Sequence, residues 1–267
     1  MSTTLMLDRE DGRIAYDVQG DGPLVICAPG MGDIRQTFRH LVPALLDGGY
    51  RVATFDIRGH GESDTTFRSY DDEAEASDII ALAEHLGSPA SVVGNSMGAA
   101  AGIIAAAARP ELIRSLVLVG PYARNPKVNP LMIGVMRVAM AAPWAAAVWK
   151  AYLPSLYAGR KPADQAEFAA AANAAMRRKG YATTFSKTTH LSHAPAEAVL
   201  PQVHAPALVV MGELDPDFPK PADEAAWIKD QLNAEVLMVP EAGHYPQSQQ
   251  PELVGPAVVA FLKANVA

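Results

Sequence analysis

Ser96 stands at the centre of Gly94-Asn95-Ser96-Met97-Gly98, with a short β-branched stretch before it and an alanine-rich stretch after it. A serine at the tip of so sharp a strand-to-helix turn holds strained dihedrals, and its near neighbours leave room only for glycine on either side. The turn would push Oγ clear of the sheet. The following N–H and the helix N-terminus would add positive potential to the same space. The pentapeptide could also be an ordinary serine cap, but a strand before it and a helix after it favour the reactive reading. A hydroxyl is a poor nucleophile and needs a base, which needs an orienting acid, so the chemistry to look for is acyl transfer.

Candidates for both partners follow strand ends. Gly212-Glu213-Leu214-Asp215 comes directly after an apolar run over 207–211, which puts Asp215 at the carboxyl edge of a sheet, where ligands of open α/β folds collect. Asp217, Glu213 and Asp223 compete with it. Gly243-His244-Tyr245-Pro246 follows a run over 235–239 at the same edge. Among the other six histidines, His40 and His85 fall on amphipathic helices and are expected at the surface. His60 lies in a glycine-rich loop, where a backbone hydrogen bond is its expected use. His190 and His193 could share a helix face, but no carboxylate or cysteine completes a metal site at suitable spacing. His204 precedes a strand, at the wrong edge.

These side chains need a frame, and the chain's periodicity supplies one. Strands are predicted over 4–7, 14–18, 24–28, 51–56, 91–93, 115–119, 207–211 and 235–239, with a hairpin turn at Asp11-Gly12. Helices are predicted over 37–47, 72–86, from Met97 to 108, over 223–231 and over 252–264. This alternation implies an α/β fold: a mainly parallel sheet of about eight strands flanked by helices. The rhythm stops between 121 and 203, where Ala, Met and aromatic residues recur at helical spacing between prolines. The expected organisation is a core of 1–120 and 204–267 with an inserted all-helical segment, 121–203.

Ala28-Pro29-Gly30-Met31-Gly32, Asp56-Ile57-Arg58-Gly59-His60-Gly61-Glu62-Ser63, Gly94-Asn95-Ser96-Met97-Gly98, Gly212-Glu213-Leu214-Asp215 and Gly243-His244 occur in that order. Taken together they resemble the α/β-hydrolase superfamily, in its capped serine-hydrolase form, over nearly the whole chain. The chain order serine, acid, histidine agrees with that family. The resemblance implies Ser96 as nucleophile, Asp215 as acid and His244 as base, with an oxyanion hole made by the N–H groups of Met97 and Met31. Many members have His-Gly where this chain has Pro29-Gly30, and the donors are backbone groups in either case. A serine at the nucleophile position sets the chain apart from dehalogenases and epoxide hydrolases of this fold, which place aspartate there to attack saturated carbon.

By analogy with the family, the insertion would cap the serine. Met132, Met136 and Met140 recur at i, i+4, i+8, with Trp144, Trp149 and Tyr152 soon after. Tyr122, Met136 and Trp144 are the candidate pocket residues, and such a lining suits a small apolar substrate. The expected reaction is hydrolysis of a carboxylic ester, lactone or thioester. Carbon–carbon bond hydrolysis, perhydrolysis, a cofactor-free lyase step and slow-turnover ligand sensing are the alternatives.

Composition narrows the rest. In 267 residues, 49% are hydrophobic and 19% charged, which is enough to bury a large core. The formal charge of -7, from 29 acidic and 22 basic residues, leaves no basic field for nucleic acid. Cys27, the single cysteine, reads as an apolar filler and suits a reducing, cytoplasmic setting. The stretch 131–149 is broken by Arg137 and Pro143, so no membrane span is expected. Without a dinucleotide fingerprint or a phosphate loop, no cofactor is implied, and no metal.

Overall fold

The computed structural model describes residues 3–87, 89–126, 134–135, 138–141 and 143–265. Eight strands form one sheet: β1 Leu5–Arg9, β2 Gly12–Gln19, β3 Leu24–Ala28, β4 Arg51–Phe55, β5 Ala90–Asn95, β6 Ile113–Val119, β7 Ala207–Gly212 and β8 Glu235–Val239. Their order is β1-β2-β4-β3-β5-β6-β7-β8. The β1/β2 and β2/β4 pairs are antiparallel and the remainder parallel. The opening hairpin turns one residue earlier than the Asp11-Gly12 dipeptide suggests, because Gly12 already pairs with Arg9.

Both faces of the central strands are buried, so these strands read as continuous apolar runs rather than alternating ones. On β3, Leu24, Ile26 and Ala28 face one core and Val25 and Cys27 the other. On β6, Leu116 and Leu118 divide from Val117 and Val119 in the same way. The Cys27 thiol is fully buried and burial pushes its pKa far up, which makes it packing material.

In the first half, the helices are α1 Val42–Asp47, α2 Asp72–His85 and α3 Met97–Ala108. The predicted helix over 37–47 is instead a 3-10 turn, Arg35–Phe38, followed by α1. Pro43 lacks the N–H that a continuous helix would use there, and its ring would clash one turn back. Asp71 caps α2 by accepting from the Ala74 N–H at 2.9 Å.

Between β6 and β7 the described residues hold no strand of the sheet, and the helices there include α4 Ala145–Leu156, α5 Gln165–Ala175, α6 Tyr181–Thr188, α7 Ala194–Val199 and a short 3-10 turn. A buried cluster of Trp149, Leu153, Leu156, Tyr157, Tyr181 and Phe185 joins this segment to Tyr245 and Met31 of the sheet domain. The chain ends with α8 Pro221–Leu232, α9 Pro246–Gln249 and α10 Pro251–Asn265. No helix among the described residues is long and apolar enough to cross a membrane.

Candidate active site

Ser96 links β5 to α3 with φ 58° and ψ -116°, a conformation that a non-glycine residue adopts only when its surroundings impose it. Here the surroundings do. Its N–H donates to the Val119 carbonyl at 2.9 Å, and its own carbonyl accepts from Ala99 at 3.1 Å and from Tyr122 at 3.4 Å. Close packing explains the flanking glycines: a Cβ on Gly94 would lie 2.3 Å from the Gly98 carbonyl oxygen, and one on Gly98 would lie 2.2 Å from that of Ala28. Oγ makes no hydrogen bond among the described residues.

Asp215 and His244 meet. His244 Nδ1–H donates to Asp215 Oδ2 at 2.8 Å, both side chains are buried, and the bond leaves Nε2 as the acceptor. Asp215 Oδ1 accepts from the Asp217 N–H at 3.0 Å. The backbone of His244 is fixed from both sides. Its N–H donates to the Leu156 carbonyl at the end of α4 at 2.8 Å. Its carbonyl accepts at 3.2 Å from Asn95 Nδ2, which also donates to Val119. Asn95 thus ties the residue before Ser96 to His244.

Of the competing carboxylates, Glu213 is exposed, and Asp223 is a surface residue paired with Lys220. Asp217 joins the site. Its Oδ2 lies 3.6 Å from His244 Nδ1, and its Oδ1 accepts from the Tyr152 hydroxyl of α4. Burial pulls the His244 pKa down, but the charges of Asp215 and Asp217 and the Asp215 hydrogen bond outweigh it and push it up to about 9. Asp215, Asp217 and His244 also present ligand atoms within 4.8 Å of one another, so they could hold a cation, but only by giving up the Nδ1 proton and its bond.

Met31 lies in the turn after β3, where Asp33 N–H donates to the Gly30 carbonyl at 3.3 Å and Gly32 N–H to His60 Nε2 at 3.0 Å. None of these bonds uses the Met31 N–H. Met97, first residue of α3, has no intrahelical acceptor for its own. A Cβ on Gly30 would lie 2.8 Å from Ser96 Cβ, so this turn packs directly on the serine. His60 holds the turn in place. Nδ1–H donates to the Arg58 carbonyl at 3.0 Å, Nε2 accepts, and burial lowers its pKa to about 4.

Tyr122 stacks on His193 with ring centroids 4.9 Å apart and meets His244 edge-on at 6.3 Å, so it stands beside the imidazole. Met136, like Met132, lies outside the described residues. Trp144 is 48% exposed and donates its indole N–H to the Val138 carbonyl. It precedes α4 and does not share the buried face of that helix. Trp149 does, and reaches the 30–33 turn: a Cβ on Gly32 would lie 2.1 Å from its Nε1. His190 and His193 do not share a helix. His193 precedes α7 and its Nδ1 lies 2.8 Å from Asp72 Oδ2 of α2. The Asp217–Tyr152 and Asp72–His193 contacts escape sequence reasoning because each joins segments more than sixty residues apart.

A family model described as the alpha/beta hydrolase family matches residues 25–257. The chain is 31% identical over 263 residues to BpoC of Mycobacterium tuberculosis, assigned as a non-heme bromoperoxidase, covering 93% of this chain and 97% of that one. It is 29% identical over 266 residues to the 2-(acetamidomethylene)succinate hydrolase of Mesorhizobium japonicum, covering 95% and 93%. Among solved structures, a bromoperoxidase from Bacillus anthracis matches with a TM-score of 0.85 at 20% identity, over 98% of this chain and 100% of the other. A thermophilic esterase from Thermogutta terrifontis matches with a TM-score of 0.80 at 22% identity, over 98% and 99%. These two structures share the fold. The match across 25–257, together with the eight-stranded sheet, shows that the chain belongs to the alpha/beta hydrolase family.

Proposed function

We propose that the protein is a serine hydrolase that cleaves a small or medium-sized, largely apolar ester, lactone or thioester through an acyl-enzyme. Ser96 is the nucleophile, His244 the base and Asp215 the acid that holds the imidazole in one tautomer. The Met31 and Met97 N–H groups form the oxyanion hole, and residues 121–203 cap the site. The observation that carries this reading is the positive φ of Ser96 at the strand-to-helix turn, a strain that serves to present Oγ.

The cycle runs as acyl transfer. His244 Nε2 takes the Ser96 proton as Oγ adds to the carbonyl carbon, and the oxyanion accepts from the two amides. Collapse breaks the bond to the alcohol, which leaves with the proton from His244. Water then adds to the acyl-enzyme, giving its proton to His244, and the acid departs as the proton returns to Oγ. The missing Ser96–His244 hydrogen bond is in keeping with resting enzymes, in which such contacts tighten only when substrate is bound. Each oxyanion donor is worth about 10²–10³ in turnover.

Similarity to BpoC favours a second reading on the same residues. Hydrogen peroxide would replace water in the second half, releasing a peracid and restoring Ser96. Similarity to a named hydrolase of comparable coverage supports water instead. The test is Ser96→Ala assayed on p-nitrophenyl esters with and without peroxide. We expect loss of at least roughly 10³-fold in turnover at an unchanged Tm. Comparable activity in that variant would rule the proposal out.

A further inference from the structure

His244 Nδ1 faces two carboxylates, and the second has no part in the cycle described above. Asp217 Oδ2 lies 3.6 Å from Nδ1, against 2.8 Å for Asp215 Oδ2. Both acids come from one closed turn after β7. There the Asp215 N–H donates to the Gly212 carbonyl at 3.3 Å, the Phe218 N–H to the Asp215 carbonyl at 3.4 Å, and the Asp217 N–H to Asp215 Oδ1 at 3.0 Å. The side chains of Asp215 and Asp217 are 0% and 11% exposed. Gly120 packs against the same edge of the imidazole: a Cβ there would lie 3.1 Å from Nδ1, which leaves no room for a side chain at that position.

A carboxylate taken out of water is costly unless cations or hydrogen-bond donors replace the lost solvent. Asp217 has donors. The Tyr152 hydroxyl of α4 bonds Oδ1, and the Tyr122 hydroxyl also hydrogen-bonds this carboxylate. Neither phenol brings positive charge. Among the described residues no lysine or arginine pairs with Asp217, and the group within ion-pair reach that can become cationic is His244. An anchor for two phenols has no need of charge, since the carbonyl oxygen of an asparagine would accept the same hydroxyls. A carboxylate suits the step in which His244 takes the Ser96 proton and becomes an imidazolium. With Oδ1 held by Tyr152, Oδ2 is the oxygen that faces Nδ1.

We propose that Asp217 is a second orienting acid, a positioning residue that shares His244 with Asp215, supports the imidazolium formed in the cycle and holds the imidazole when Asp215 is removed. The proposal rests on the serine-hydrolase reading for its effect on turnover, though not for the contact itself.

The experiment compares kcat and KM for p-nitrophenyl butyrate in Asp215→Ala, Asp217→Ala and the double variant. Loss of both acids should lower kcat by about 10⁴-fold, the cost of leaving a triad histidine unoriented. Asp215→Ala alone should keep at least about tenfold more kcat than the double variant, with KM changed by less than about threefold in each. Equal kcat in Asp215→Ala and the double variant overturns the proposal, as does a difference confined to KM. Asp215→Ser retains an acceptor for the Asp217 N–H and replaces Asp215→Ala if that variant does not fold. A second measurement needs no turnover. The hydrogen-bonded Nδ1–H of His244 gives a far-downfield proton resonance, assigned by its loss in His244→Gln. Its persistence in Asp215→Ala and disappearance in the double variant are expected, and its loss in Asp215→Ala overturns the proposal whatever the rates. Ser96→Ala separates the two claims: turnover that survives it refutes the nucleophile, whereas the resonance still shows whether Asp217 holds His244.

Discussion

His244 lies between two carboxylates rather than one, and its response to pH follows from that arrangement. In the proposed cycle its neutral form is the base, and Asp215 and Asp217 together hold the pKa near 9 against the pull of burial. Activity therefore rises with pH through neutrality, and the acid limb of the kcat/KM profile should fall well above the ordinary histidine value of 6.5. Asp217→Asn removes one of the two charges and should move that limb to lower pH. A wild-type limb at or below 6.5, or an unmoved limb in the variant, would contradict this assignment. The pairing also stabilises the fold below pH 6.5, and that contribution is lost as pH rises through 9. The strand-end positions of Ser96, Asp215 and His244 can be read from sequence because each closes a short motif after an apolar run. Asp217 could not be told from Asp215, being two residues away in a chain with several acids nearby.

The contact between the inserted segment and the His244 loop is held largely by one side chain. Gln249 of α9 accepts through Oε1 from the Gly243 N–H at 2.9 Å and the Tyr245 N–H at 3.3 Å, and donates through Nε2 to the Ala158 and Arg160 carbonyls at 2.8 and 2.7 Å. An antiparallel bridge between Gly159 and Ala242 and the Arg160 N–H to the Glu241 carbonyl complete the seam. Gln249→Leu fills the space but strands two buried donors and two acceptors. We expect a cost of about 2–4 kcal/mol in urea unfolding and a fall in kcat larger than any change in KM. A neutral substitution would mean that the seam does not position His244. All eight strands were legible in place and order because their apolar runs are bounded by turn residues, although β1, β2, β5 and β6 run up to two residues further at an end than those runs. The helix boundary at Pro43 and the aromatic packing under α4 and α6 were not, since a proline's effect depends on which turn it enters and the packing on contacts far apart in the chain.

Across the molecule, the Asp56–Ser63 motif serves to buttress rather than react. Asp56 accepts from the Arg35 N–H at 2.7 Å and from the Arg35 guanidinium, and Ser63 Oγ donates to the Asp56 carbonyl at 2.6 Å. This sets His60 against the 30–33 turn. Because burial holds His60 neutral, with a pKa of about 4, the fold is favoured above pH 6.5 and loses that advantage as pH falls towards 4, by roughly 3 kcal/mol. In His60→Gln, urea midpoints should fall less steeply over that window than in the wild type. Parallel slopes would show that His60 is not the group titrating. Fold and family were legible because five motifs and eight strands agree on one topology, whereas the substrate was not, because contacts around the site such as Tyr152–Asp217 join segments far apart in the chain. The claim on which the rest depends is that Ser96 Oγ is the nucleophile. Treating the folded protein with a fluorophosphonate and locating the adduct by mass spectrometry tests it most directly: one adduct, on Ser96 and lost in Ser96→Ala, is the expected result, and an unlabelled Ser96 or an adduct on another residue would contradict it.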